Sequence, residues 1–408
     1  MNAARFSDHQ TSTRVRSRDK AHIQIGMHAG WAGGVERYFD GLCRAFDRNG
    51  MPYRGLVFGR GLAGEGNDLP LGSTILGPAE APLRERWRLI QEAVLSFSQD
   101  SPASSLLIVS HFALYGWPVL GPRWRRKGVR LVSHFHGPWA DESAAEGASR
   151  VSVLAKRLLE HRVYQKSAHL ISASEAFRQL AIARYGVRPE RITAVHAGMD
   201  AGPTIALTQG VSRQEARARL GWPMESDRRI VFCVRRITRR MGLENLIDAA
   251  AALVGQDRRL FVVIGGKGPM LETLRARVAR LGLDNHVRLP GFVSDADLPI
   301  AYRAADFTIV PSVALEGFGL VILESWAAGT PVLVTPVGGM PEVVRPFVPE
   351  CVMGGSGVDD LVRGMKEVLS GEQGLPHPEE CVNYVCRVHS WEIVAPRVFE
   401  GYSQSMVG

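Results

Sequence analysis

VPSVALEGFGLVILESWAAGTPVLVTPVGGMPEVV, residues 310–344, decides the fold. It begins as a strand, turns through a loop bearing Gly317 and Gly319, runs as a helix to a stop at Gly329 and returns to a strand, so it reads as one βαβ unit. The two glycines fall where the helix opens. Unsatisfied backbone N–H groups and the positive end of the helix dipole favour an anion there, and the missing side chains permit close approach, which suits a diphosphate. Glu324 follows Glu316 by eight residues, about 80° around and about 12 Å along a helix axis if both were helical. With Glu316 in the loop, the two carboxylates reach opposite ends of one elongated ligand. A carboxylate accepts well from a vicinal diol, so Glu324 suits a ribose and Glu316 the hydroxyls of a sugar. Most isolated Glu pairs are plain helix charges, but this helix is otherwise almost wholly apolar.

The same alternation extends in both directions. HIQIGMH (22–28), YRGLVFG (53–59), SLLIVSHF (105–112), VRLVSHFHG (129–137) and HLISAS (169–174) read as strands of a first sheet. RIVFCVRRI (229–237), LFVVIGG (260–266), HVRLPGF (286–292), FTIVPS (307–312) and PVLVTP (331–336) read as strands of a second. Longer helical patterns separate them, as in parallel sheets covered by helices on both faces. The expected fold class is α/β, with two doubly wound Rossmann-like domains and an interdomain cleft where ligands bind beyond the carboxyl ends of the strands. Residues 1–20, polar and aperiodic, are expected to be a disordered leader. The first domain is placed at 21–200 and the second at 201–390. HAGMDAGPTIALTQG (196–210) carries no periodicity and serves as the linker, and a terminal helix over 391–408 is expected to pack back on the first domain.

Composition narrows the classes. At 408 residues and 45% hydrophobic content the chain holds enough apolar material for two cores. No run approaches the ~20 apolar residues of a membrane span and no secretory pattern opens the chain, so a cytoplasmic protein is expected. Cys43, Cys233, Cys351, Cys381 and Cys386 form no paired framework and no metal spacing, and read as reduced thiols, with Cys233 in a core strand. The net charge of +8 favours an anionic ligand or surface. Its densest ordered cluster is WRRKGVR, where a solvated loop is the plainer reading and a membrane-surface patch at the inner face, for a lipid-linked acceptor, is the other. No aromatic-interleaved basic face or zinc spacing points to nucleic acid.

Three further sites stand at strand ends. Gly33 and Gly34 follow the first strand, before a helix starting near Val35, and read at the least as a tight turn. His136 ends VRLVSHFH and faces the cleft by its position; a lone His is otherwise a structural residue, and His134 is a weaker candidate on the same side. VIGGKGP lacks a full dinucleotide fingerprint, and its Lys267 is a candidate to reach a nucleotide.

Together these segments resemble glycosyltransferase family 4, whose fold is called GT-B. The resemblance rests on Glu316 and Glu324 with their loop glycines, AAGTPV and VGGMPEVV, and on six further stretches in order. These are GGVERY (33–38), HFHG (134–137), ISASEAFRQLAIARYGV (171–187), VRRITRRMGLENLIDA (234–249), VIGGKGP (263–269) and LPGFVSDADLPIAYRAADF (289–307). It implies a retaining transfer of a hexosyl group from a sugar nucleotide, UDP-sugar favoured and GDP-mannose the alternative, to a hydroxyl of a glycan, a lipid-linked sugar or a natural product. Glu316 is then on the transferred sugar, the amides of Gly317, Phe318, Gly319 and Leu320 on the diphosphate, and Glu324 on the ribose. The Gly33–Gly34 loop closes over the donor phosphates, His136 lies beside the sugar, and the segment 288–292 passes the base. The family motif G-R-L-x-x-x-K-G reads here Arg235, Arg236, Ile237 and then Met241, Gly242. The resemblance keeps the arginine as Arg236 and loses the lysine at Met241, for which Arg240 is the preferred substitute and Arg235 the alternative. No DxD-type pair closes a strand, so neither a metal nor a cofactor is expected. A phosphorylase or epimerase on the same fold, or a non-catalytic subunit, are the rival readings.

Overall fold

The computed structural model describes residues 22–29, 33–59, 69–100 and 106–405. The leader expected over residues 1–20 lies outside them. Seven strands form the first sheet: β1 (His22–His28), β2 (Tyr53–Gly59), β3 (Ser73–Pro78), β4 (Leu106–Ser110), β5 (Val129–Phe135), β6 (His169–Ser172) and β7 (Ile192–Ala194). Five form the second: β8 (Arg229–Val234), β9 (Leu260–Gly265), β10 (Val287–Gly291), β11 (Phe307–Val310) and β12 (Val332–Val334). The strand orders are β3-β2-β1-β4-β5-β6-β7 and β10-β9-β8-β11-β12, with every pairing parallel.

The ten sequence-expected strands all form; β3 and β7 are additional. Both lie at the edges of the first sheet, where one flank has no partner strand and the side chains need not be continuously apolar. β3 has no fully buried position, and β7 has three residues. In contrast, β4 and β9 are buried along their whole length, which is why their sequences read as unbroken apolar runs.

The segment expected to be an aperiodic linker contains the short helix Gly202–Thr208, with a proline in its first turn. The chain then enters the second sheet and crosses back near His389. The final helix, Trp391–Gln404, buries Trp391, Val394, Ala395, Val398 and Tyr402, packing on β6 and on the helix Gly34–Arg48 of the first domain. All five cysteines are free thiols, Cys233 buried and Cys386 exposed.

Because both sheets are parallel, one end of each carries every strand's carboxyl terminus. Gly33 and Gly34 at the start of the helix after β1, with residues following β5, β8, β9, β11 and β12, line the cleft between the domains, and the sequence-derived candidates all sit on these turns or on the helices they open.

Candidate active site in the cleft

Beyond β11 the chain runs through Ser312 to Glu316 before entering the helix Leu320–Ala327. Leu315 has φ of 53°, the one non-glycine residue in the left-handed region among those described, an arrangement that costs energy and needs support. Arg240 supplies it: its Nη1 donates to the Leu315 carbonyl at 3.1 Å, and its own carbonyl accepts from the Val313 amide at 2.9 Å. On the other side, Gly339 N donates to the Glu316 carbonyl at 3.0 Å. Gly338, at φ 58°, passes so close that a Cβ would collide with that carbonyl oxygen. The VGGMPEVV turn is therefore the clamp that fixes the Glu316 loop.

Glu316 is 9% exposed. Its Oε2 accepts from Ser312 Oγ at 3.2 Å and from the Arg235 guanidinium. The backbone N–H groups of residues 317–320 have no acceptor among the described residues, leaving four donors at the start of the helix for an anion. Glu324, one turn into the helix, accepts from the Tyr302 hydroxyl at 2.8 Å and from Arg37. Arg37 comes from the GGVERY helix of the first domain and also donates to Asp295 at 2.7 Å. The Glu324 carboxylate beside it strengthens the hold of the Arg37 guanidinium on its proton.

The cations of the VRRITRRM segment are distributed differently from the sequence expectation. Arg235 is the one on Glu316, and its Nη2 also lies 3.1 Å from Met241 Sδ and 3.2 Å from Ser312 Oγ. Arg240, preferred from sequence as the substitute for the missing lysine, is tied to the Leu315 carbonyl and faces Glu142 of the first domain at 3.5 Å. Arg236 is 60% exposed and reaches Glu146 across the cleft at 3.2 Å. A shift of one residue after β8 sends each side chain in a new direction, which spacing alone does not fix.

In the first domain His136 is half-buried within a stack of three imidazoles. His111 and His134 are 4.2 Å apart between centroids, His134 and His136 are 5.5 Å apart, and the planes are within 19° of parallel. Burial pushes the His136 imidazole down to about 4 and drives His111 and His134 well below the usual histidine value, so all three are neutral near pH 7. His111 Nε2 is paired with Gln24 at 2.7 Å and His134 Nε2 with the Tyr402 hydroxyl at 2.6 Å. Their ligand atoms lie within 4.8 Å of one another, and His136 Nε2 stands 3.5 Å from His111 Nδ1. At its cleft end the array presents His136 as a neutral hydrogen-bonding edge.

Gly33 precedes the helix Gly34–Arg48 as its N-cap, with Gly34 facing Leu320 across the cleft. Lys267 lies over the ring of Phe292 at 4.1 Å, and this ring is 52% exposed at the end of β10. Sequence reasoning missed Arg37, Tyr302, Glu142 and Glu342. Glu342 accepts from the amides of Glu175 and Ala176, each at 2.7 Å, capping a first-domain helix from the second domain. Its signal was the single acid in the otherwise apolar MPEVV helix.

Two Rossmann-like domains facing across such a cleft, with a paired-acid helix in the second, define a GT-B glycosyltransferase. HepE of Anabaena, solved in complex with UDP, superposes with a TM-score of 0.71 at 19% identity over 94% of this chain and 100% of its own. The model described as Glycosyltransferase Family 4 matches residues 32–202, and that described as Glycosyl transferases group 1 matches 212–386. The D-inositol 3-phosphate glycosyltransferase of Mycolicibacterium smegmatis is 33% identical over 74% of this chain and 67% of its own length. D-inositol 3-phosphate glycosyltransferase 1 of Catenulispora acidiphila is 35% identical over 54% of each. The chain thus spans about half to two thirds of the length of these curated relatives. It belongs to glycosyltransferase family 4.

Proposed function

We propose that the protein transfers a hexosyl group from a nucleotide-diphosphate sugar, UDP-sugar favoured, to an acceptor hydroxyl with retention of anomeric configuration and without a metal. The observation that carries this reading is the convergence of Glu316, the four open amides of residues 317–320 and Glu324 along one loop and helix. Their order matches sugar, diphosphate and ribose. In this reading the bond from the anomeric carbon to the β-phosphate oxygen breaks while the acceptor oxygen bonds that carbon on the same face. The acceptor's proton passes to the departing phosphate. The open amides and a cation stabilise the charge that develops there, and His136 offers a neutral hydrogen bond to the sugar.

The cation is assigned to Arg235. Its guanidinium touches the sulfur of Met241, the position at which the family motif places lysine, so charge lost from one position is restored from another that the motif reserves for glycine. Arg240 is assigned to holding the Leu315 turn, and Arg236 to the cleft edge. Lys267 and Phe292 are assigned to the base end.

Thermal-shift measurements against UDP-, GDP- and ADP-sugars test the donor site; no rise in melting temperature with any of them would withdraw it. Glu316→Ala tests the transfer itself, with loss of turnover expected while the fold and nucleotide binding persist. D-inositol 3-phosphate, the acceptor named in the relatives, belongs in the acceptor screen beside lipid-linked sugars. Turnover with inorganic phosphate in place of a nucleotide would instead support a phosphorylase.

A further inference from the structure

Eight large apolar side chains are exposed among the described residues, and three of them, Val151, Leu154 and Leu158, lie in one stripe of the helix Arg150–Lys166. Val151 is 80% exposed and Leu158 63%. The stripe continues along the same helix face into Arg162 and Lys166, and there it borders a groove of about 830 Å³ that includes Trp87 and Trp117. These two rings stack at 6.4 Å. A second hollow of about 640 Å³ shares both tryptophans and is bordered by Arg123, Arg125 and Arg126. Arg123, Arg125, Arg126, Arg162 and Lys166 are exposed and have no carboxylate partner among the described residues. Neither hollow has an acidic residue in its lining.

We infer that this face of the first domain docks on the surface of an anionic lipid bilayer. Five unpaired cations in a carboxylate-free rim complement a layer of phosphate headgroups, at about fivefold in affinity per charge near such a surface. The exposed aliphatic stripe and the two tryptophans suit the boundary between headgroups and acyl chains, where an apolar body and a polar edge are both satisfied. A nucleic acid would match the charge but leave Val151, Leu154 and Leu158 in water, and a second copy of the chain would bring like charge to like. No helix among the described residues is long and apolar enough to cross a membrane, so the contact is at the surface. The docked helix also leads to the cleft. Its neighbour Trp139–Ala145 is tied to it by Arg157 on Asp141 at 2.8 Å, and the loop between them carries Glu146, the partner of Arg236.

Sedimentation of the full chain with vesicles tests the inference without reference to turnover, so its failure is separate from failure of the transfer reading. Binding to phosphatidylcholine vesicles containing phosphatidylglycerol, absent with phosphatidylcholine alone and released by salt, is expected. Arg125→Gln with Arg126→Gln is expected to weaken it about 25-fold, and Leu154→Glu with Leu158→Glu to abolish it, with melting temperatures unchanged because all four side chains are exposed. The inference is overturned by no vesicle binding, by equal binding to neutral vesicles, or by binding that both variants leave intact. Binding of duplex DNA without vesicle binding overturns it too.

Discussion

Restoring the family motif, by Arg235→Gly together with Met241→Lys, should return the activity that Arg235→Gly alone removes. The Arg235 side chain is 7% exposed and held by Glu316, Ser312 and Met241. Losing one charge-assisted hydrogen bond to a diphosphate costs about 1.5–3 kcal/mol, or roughly 10- to 150-fold in kcat/KM. The substitution also leaves Glu316 buried without its cation, so a stability loss of about 3–5 kcal/mol accompanies it. Met241→Lys alone inserts an ammonium against a guanidinium that now stands 3.1 Å from the sulfur. Two like charges about 4 Å apart repel by about 4 kcal/mol at an effective dielectric constant of 20, and this single variant should lose melting temperature. In the double variant the lysine takes the vacated space, and kcat/KM should return to within about tenfold of the parent, a coupling of at least 1 kcal/mol in a double-mutant cycle. Steady-state kinetics, nucleotide titration calorimetry and thermal melts separate chemistry, binding and folding. Unchanged donor affinity and kcat/KM in Arg235→Gly, or additive losses in the double variant, would refute the assignment. Loss of donor affinity in Arg240→Gln with the Leu315 turn intact would return the role to Arg240.

Three other outcomes are expected. Arg37→Met frees Glu324 from a rival for the ribose and should tighten UDP binding about fivefold, the roughly 1 kcal/mol of a partly exposed pair; calorimetry decides, and weaker binding would make Arg37 itself a ligand. Burial raises the Glu160 carboxyl to about 7, against the amides of Trp139 and Ala140 that pull it down. A raised acid favours its protonated form in the fold, so its contribution is full below about 4.3 and lost as pH rises through about 7. Glu160→Gln should therefore gain on the parent in chemical denaturation as pH is raised across that window, and a pH-independent difference would count against it. His136, held down at about 4 by burial, is neutral across the working range. His136→Ala should lower kcat about 3- to 10-fold, by the same factor near neutrality and at about pH 5.5; a factor that changes with pH would indicate a charged imidazole.

How much of this was legible in the sequence followed from how local each feature is. Strands buried on both faces announce themselves as apolar runs, so β4, β5, β8 and β9 were readable, whereas the edge strands β3 and β7 lack that constraint. Gly202–Thr208, seven residues long with Ile205 and Leu207 as its large apolar side chains, is too short to show a periodic face that marks it as a helix. Glu316 and Glu324 share one loop and helix, so their placement at two ends of one segment was readable from their spacing. Arg37 on Glu324 joins residues 287 apart, and Glu342 on the Ala176 amide residues 166 apart. No local pattern encodes such contacts. The missing motif lysine at Met241 was visible in the sequence, but which neighbouring arginine lies against Met241 depended on the way each side chain turns after β8.

The two crossings between domains lie against each other. Met199 pairs with Ser390 in a parallel bridge, and its amide donates to the His389 carbonyl at 2.7 Å. A single connecting strand would let the domains swivel and twist freely. Two strands laced side by side bend easily about the line they share and resist torsion. The mechanical consequence is resistance to twist: a relative rotation of the domains would have to part these two crossings as well as the contacts of Arg37 with Glu324 and of Arg240 with Glu142.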